Sequence, residues 1–166
     1  MAPLIIDFDK TLIKDDSLFK SYLRLELKKK LLLLFFIIKN GKVDLKKYLW
    51  KNNLMTLNVE FNSNLLDLAV TRKAYIVSGS IDQYLKHLLY DFVPTNRIFG
   101  TKKLNLIGSN KKNFLVKKFG YKKFDYIGDS FSDICVWKAA RKAYAVKRVW
   151  LYKFFVPSLK HVDEIK

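Results

Sequence analysis

Four apolar runs of strand length, at residues 4–8, 74–78, 124–127 and 143–146, alternate in their later part with helical patterns at 81–90, 111–119 and 132–141. A weaker run covers 97–99. Strands alternating with helices of this length predict an α/β fold, a parallel sheet covered by helices on both faces. In such sheets ligands sit beyond the carboxyl ends of the strands. Polar groups stand at three of those ends: Asp7 and Asp9, Ser78, and Asp129. Residues 12–72 break the rhythm and read as mostly helix, with patterns at 17–38, 44–54 and 60–70 and a turn at Asn40-Gly41. The expected organisation is a core of residues 1–13 and 73–166, with a small all-helical insert, 14–72, after the first strand.

The first run continues Leu4-Ile5-Ile6-Asp7-Phe8-Asp9-Lys10-Thr11-Leu12, an apolar strand ending in two carboxylates and a hydroxyl. An unpaired buried carboxylate costs on the order of several kcal/mol unless something compensates it. Two on alternate residues at the mouth of a strand point to a bound cation and to chemistry on a phosphate.

Composition narrows the setting. With 166 residues, half of them hydrophobic, the chain can bury one sizeable core. The single cysteine, Cys135, excludes an internal disulfide framework and fits a reducing compartment. The N-terminus does not read as a signal peptide, and the longest apolar run, 31–38, is about half of what a bilayer span needs. The expected location is cytoplasmic. The formal charge of +17 is uneven: residues 102–123 hold eight lysines and no acid. Residues 14–51 hold eleven basic and four acidic residues. Such a field attracts phosphorylated small molecules, anionic lipid headgroups or nucleic acid. A non-catalytic basic module binding nucleic acid or anionic membrane is one alternative, but four of the fifteen acids (Asp7, Asp9, Asp129 and Asp133) fall in the motifs themselves, which serves anion binding alone poorly and argues against it; nucleic acid is not the expected partner.

Four elements in order, Asp7-Phe8-Asp9-Lys10-Thr11-Leu12, Ile76-Val77-Ser78-Gly79, a downstream lysine, and Gly128-Asp129-Ser130-Phe131-Ser132-Asp133, resemble the motifs of haloacid dehalogenase (HAD) superfamily phosphatases. The resemblance covers residues 4 to about 148 and implies a Rossmann-like parallel core. It implies that Asp7 is the nucleophile, forming an aspartyl-phosphate, and that Asp9 protonates the leaving oxygen and later deprotonates water. It implies Mg²⁺ held by Asp7, the backbone carbonyl of Asp9 and Asp129, with Asp133 orienting the set. Thr11, Ser78, Gly79 and Lys111 make up the implied phosphate-binding group. Gly108 and Leu115 frame Lys111 as the family's pattern requires, and Lys112 is the neighbouring alternative.

Each residue also admits a plainer role. Asp7 and Asp9 could be loop acids, Ser78 a helix N-cap, Lys111 part of a solvated face, and Asp133 a first-turn acid suited to the helix dipole. Cys135 reads as core packing, and His87 and His161 as surface residues.

The helical insert lies where phosphoserine phosphatase-like members carry a small cap. Arg24, Lys28, Lys29 and Lys30 precede the apolar run 31–38, a pattern that suits either a buried cap helix or a segment lying in an anionic membrane surface. The stretch 150–155 mixes aromatics and cations in the same way. The cap start from Asp16 to Ser21, and the segments 124–130 and 136–140, are similar to the phosphatase-like domain fused to membrane polyprenyl-phosphate prenyltransferases. That resemblance implies a lipid-linked sugar phosphate or other phosphorylated lipid as substrate and peripheral attachment to the cytoplasmic face of a membrane. A phosphorylated small metabolite or nucleotide is the alternative.

Overall fold

The computed structural model describes residues 1–147, 149–156 and 161–165. Within them six parallel strands form one sheet in the order β3-β2-β1-β4-β5-β6. They are β1 (Leu4–Ile6), β2 (Tyr75–Ile81), β3 (Ile98–Thr101), β4 (Asp125–Gly128), β5 (Lys142–Ala145) and β6 (Val162–Glu164). From β1 the chain steps outward through β2 and β3, then returns to lay β4 on the other side of β1. The strand order therefore reverses beside β1, and the crevice beyond its carboxyl end is where such a sheet binds ligands.

Side-chain alternation divides the core into two layers. Leu4, Ile6, Ile76, Ile98 and Ile127 face one cluster, together with Leu65 and Ala69 of α3 (Ser63–Thr71) and Tyr84, Leu85 and Leu89 of α4 (Asp82–Leu89). Ile5, Val77, Tyr126, Ala143 and Ala145 face the other. There they meet Leu115 of α5 (Ser109–Phe119), Val136, Trp137 and Ala139 of α6 (Ile134–Ala139), and Tyr152 of α7 (Val149–Phe155). The all-apolar run Leu4-Ile5-Ile6 is thus explained by a central strand buried on both faces.

The insert leaves and rejoins the sheet at one point. Ile13 and Phe61 form an antiparallel bridge, Lys14 N donates to the Glu60 carbonyl at 2.9 Å, and Asn62 N donates to the Leu12 carbonyl at 2.9 Å. Between these points lie α1 (Ser17–Leu23) and α2 (Leu27–Lys51), the latter interrupted at Gly41, where φ is 79°. The single helix expected over 17–38 is instead broken at residues 24–26: Glu26 is extended, and Arg24 reaches across to the Thr56 hydroxyl at 2.8 Å. Leu33, Leu45, Leu49 and Met55 are buried in the same cluster as β1 and α4, so the insert is packed on the core.

Several boundaries differ from the sequence reading. The second strand runs on through Ser78-Gly79-Ser80, with its pairing to β3 shifting between Val77 and Ile81. The edge strand β6, with its exposed Asp163 and Glu164, carries no apolar run and is not foreseen. In the run 31–38, Leu33 is buried, Phe36 and Ile37 are half-buried against the core, and Leu31 is exposed; the side chains of Leu32, Leu34, Phe35 and Ile38 lie outside those described. Those of Trp150 and Phe155 do as well, while Tyr152 is buried against Trp137 with ring centroids 5.0 Å apart. No described helix is long and apolar enough to cross a membrane.

Candidate active site

Phe8 anchors the first motif. Its ring is fully buried edge-on to Tyr84, centroids 6.2 Å apart, and burial of such a side chain is worth about 1.5–3 kcal/mol. With Phe8 turned into the core, the flanking carboxylates are presented beyond the end of β1. A wide turn follows, closed by Leu12 N donating to the Asp7 carbonyl and Ile13 N to the Phe8 carbonyl, with Lys10 at φ 56°.

Three carboxylates converge: oxygens of Asp7, Asp129 and Asp133 lie within 4.8 Å of one another. The Lys111 ammonium sits among them, 2.8 Å from Asp7 Oδ2, 3.3 Å from Asp133 Oδ1 and 2.9 Å from the Tyr126 hydroxyl. That hydroxyl donates to Asp133 Oδ1 at 2.6 Å. The other oxygen of Asp133 accepts from the amides of Asp129 and Ser130 and from the Ser130 hydroxyl. Gly128 makes this folding-back possible, because a Cβ there would lie 2.8 Å from Asp133 Oδ2. Asp133 is therefore the fixed, paired member of the group. Asp129 is the accessible one, and its carbonyl accepts from the Tyr152 hydroxyl.

Electrostatics follow from that packing. Burial pushes the Asp7 carboxyl up to about 7, with Lys111 pulling against it and Asp133 adding to the rise. Burial and the neighbouring Asp133 push Asp129 up to about 6. Burial also works against ionised Asp133, but Lys111 and the hydrogen bonds from Tyr126 and Ser130 outweigh it and hold the group below the ordinary range. For Lys111, burial opposes the charge while Asp133 and Asp7 more than offset it, so the ammonium is retained. Burial, then Asp133 and Asp7, raise the Tyr126 phenol well above its usual value, keeping it a donor.

Asp9 is held apart from this cluster. Its Oδ1 accepts from Ser17 N at 2.8 Å, the first residue of α1, and its Oδ2 from the Ser80 hydroxyl at 2.6 Å. The insert and β2 thus both orient it. Ser78 is buried, its Oγ accepting from Ser80 N at 3.1 Å. It does not cap α4, which starts after Ile81 without a side-chain cap. Gly79 packs so tightly that a Cβ would meet Ile107 at 2.4 Å, and its carbonyl accepts from Thr101 Oγ1 at 2.9 Å. Thr11 is buried, and its Oγ1 has no partner among the described residues. Lys112 is half-buried and makes no ion pair among them, so of the two lysines it is Lys111 that joins the acids. Cys135 is only half-buried; His87 and His161 are exposed, as expected.

Asp7, Asp9, Asp129, Ser78, Gly79 and Lys111 line one cavity of ≈ 220 Å³. The insert contributes Asp16, Lys42 and Lys46 to its walls. Lys46 was not anticipated. Its buried ammonium donates to the Gly79 carbonyl at 2.6 Å, bridging α2 to the strand that carries Ser78. Burial lowers its pKa, opposed by Asp9, Asp16 and Asp7. A second cavity of ≈ 560 Å³ adjoins the first, sharing Lys10, Asp16 and Asp129 and adding Phe19, Leu23 and Lys147.

Hard oxygen donors of this kind suit Mg²⁺. Three carboxylates lie together against the one ammonium of Lys111, so the donor set fits a divalent cation.

No family model matches the sequence, and no curated protein matches it. Solved structures do. A phosphoserine phosphohydrolase-like protein from Francisella tularensis is 18% identical, with a TM-score of 0.58, covering 98% of this chain and 94% of its own. A HAD family hydrolase from Salmonella enterica serovar Typhi is 15% identical, with a TM-score of 0.65, covering 92% and 66%. A phosphoserine phosphatase captured as a phospho-aspartyl intermediate analogue is 14% identical, with a TM-score of 0.58, covering 99% and 93%. The fold is that of HAD-superfamily hydrolases.

Proposed function

We propose that the protein is a Mg²⁺-dependent phosphomonoesterase that works through an aspartyl-phosphate on Asp7. The observation that carries this reading is the convergence of the Asp7, Asp129 and Asp133 carboxylates, with Lys111 paired to Asp7 and Asp133, where Asp7, Asp129 and Lys111 share one cavity with Ser78. Phosphate monoesters hydrolyse so slowly in water that a catalyst must supply on the order of 20 kcal/mol. A carboxylate nucleophile divides that barrier between two steps.

In the first step a carboxylate oxygen of Asp7 attacks phosphorus and the ester oxygen departs with a proton from Asp9. In the second, Asp9 takes a proton from water as the water attacks phosphorus and releases Asp7. The ties from Ser17 and Ser80 hold Asp9 in place for both transfers. Lys111, Ser78 and the Gly79 amide would take the equatorial phosphoryl oxygens, where negative charge is spread. Asp7 and Asp129, with the Asp9 carbonyl, would hold the cation, and Asp133 would fix Lys111 and the Asp129 loop. Bound there, Mg²⁺ supplies charge that offsets the carboxylates and the phosphoryl group.

For the substrate we infer a phosphorylated lipid or lipid-linked sugar phosphate. The adjoining cavity sets Phe19 and Leu23 beside Lys10, Lys14, Lys20 and Lys147, with Asp15, Asp16 and Asp129 in the same walls, and the apolar pair suits a leaving group with a lipid-like part. A screen over prenyl-linked phosphates, phospholipids and small phosphorylated metabolites, with Mg²⁺ against EDTA, tests both halves. Turnover confined to small metabolites would overturn the lipid assignment. An Asp7→Asn protein that matched wild type on an aryl phosphate would end the catalytic reading.

A further inference from the structure

We infer that the elbow between α1 and α2 is a docking surface for an anionic lipid bilayer; this rests on the lipid-phosphatase reading and assigns the surface that brings the site to its substrate. Four large apolar side chains stand exposed there: Phe19 at 60%, Leu23 at 54%, Leu27 at 74% and Leu31 at 55%. They fall one helical turn apart in pairs, Phe19 and Leu23 on α1 and Leu27 and Leu31 on α2, on either side of the break at 24–26. A folded protein seldom shows so much apolar surface on consecutive turns without a use for it.

The sequence leaves the run 31–38 open between a buried cap helix and a membrane-surface segment. Among its described side chains, Leu33 is buried and Phe36 and Ile37 pack against the core, while Leu31 stays exposed as part of the elbow.

Charge selects the occupant. Residues 19–31 hold Lys20, Arg24, Lys28, Lys29 and Lys30 against one acid, Glu26. Arg24, Lys28 and Lys29 are exposed beside the leucines. An anionic headgroup layer satisfies both halves of this surface, apolar side chains entering the acyl boundary and lysines meeting the headgroups. A second copy of the chain would set the same basic elbow against itself. Position agrees as well: Phe19 and Leu23 also line the outer cavity that shares Asp129 with the reaction cavity, so a headgroup lying at the elbow is next to the site.

Flotation with vesicles of phosphatidylcholine, alone or with phosphatidylglycerol, tests the inference. Wild type should float with the mixed vesicles and remain behind with phosphatidylcholine alone. Raising salt to about 0.5 M, where charge is screened within about 4 Å, should weaken the binding. Leu27→Gln/Leu31→Gln should lower partitioning by about tenfold or more, while aryl phosphate hydrolysis stays unchanged. Lys28→Gln/Lys29→Gln should remove most of the preference for anionic vesicles. Asp7→Asn should float as wild type does while losing hydrolysis, which separates docking from catalysis. Equal flotation with both vesicles, none with either, or an unaffected leucine variant would overturn the proposal. So would light scattering that showed a dimer dissolved by the leucine substitutions.

Discussion

Lys111 offers a sharp test, because its surroundings fix the size of the effect. Replacing it with methionine keeps the bulk of the side chain and removes one charge from a position 2% exposed, in contact with Asp7, Asp133 and Tyr126. Removing one partner of a buried ion pair costs about 3–5 kcal/mol, since the other charge stays buried and uncompensated. Here two carboxylates lose their cation at once, so the upper half of that range is expected near neutral pH without Mg²⁺. For a domain of this size that is a fall in Tm on the order of 10 °C. The deficit should shrink as pH is lowered, because both carboxylates then accept protons, and it should shrink when Mg²⁺ is added. Activity on an aryl phosphate should fall by about 10²–10³-fold in kcat, the loss that follows removal of one donor to a developing oxyanion. The assays are urea denaturation at two pH values and steady-state kinetics, with Lys112→Met as the control expected to change neither. A stability loss below about 1 kcal/mol, or an equal loss in the Lys112 variant, would refute the reasoning.

Asp9→Asn should lower turnover of alkyl phosphates by about 10²–10⁴-fold and of aryl phosphates, whose leaving groups need little protonation, by much less; equal losses on both would contradict an acid role. In the metal-free protein, Asp7 at about 7 and Asp129 at about 6 both stand above the unfolded value of 3.8. The stability they contribute is full below that value and is lost as pH rises through 6 to 7. The Tm gained on adding Mg²⁺, measured by differential scanning fluorimetry, should therefore grow across this window, and a flat or falling gain would count against a carboxylate cation site. Lys46→Met removes a charged hydrogen bond from the insert to Gly79, a contact worth about 1.5–3 kcal/mol. Limited proteolysis within residues 14–60 should accelerate about tenfold or more, and unchanged cleavage would mean that Lys46 does not hold the insert down.

The parts of the site that were legible in the sequence are those where chemistry forces an unusual residue into an apolar run. Asp7 after Leu4-Ile5-Ile6, Ser78 after Ile76-Val77, and Asp129 and Asp133 after Tyr126-Ile127 stand out because strand interiors otherwise exclude them. Lys46 was hidden because one buried lysine looks like any other among the eleven basic residues of 14–51, and only the tertiary approach of α2 to Gly79 distinguishes it. Ser80 carried no signal of its own in the sequence; the strand continues through it and delivers its hydroxyl to Asp9. Tyr126 lies within the apolar run 124–127 and its ring is core, yet its hydroxyl bridges Lys111 and Asp133, which the run does not reveal. The elbow at 24–26 breaks a helical pattern with neither glycine nor proline, so nothing local announces it.

Rapid acid quench during turnover of an aryl phosphate, followed by peptide mass spectrometry, reaches the nucleophile itself. The expected result is a hydroxylamine-labile phosphoryl group on Asp7, formed with Mg²⁺, absent with EDTA and absent in Asp7→Asn. Phosphate release by an Asp7→Asn protein at the wild-type rate, or trapped phosphoryl on any other residue, would contradict it.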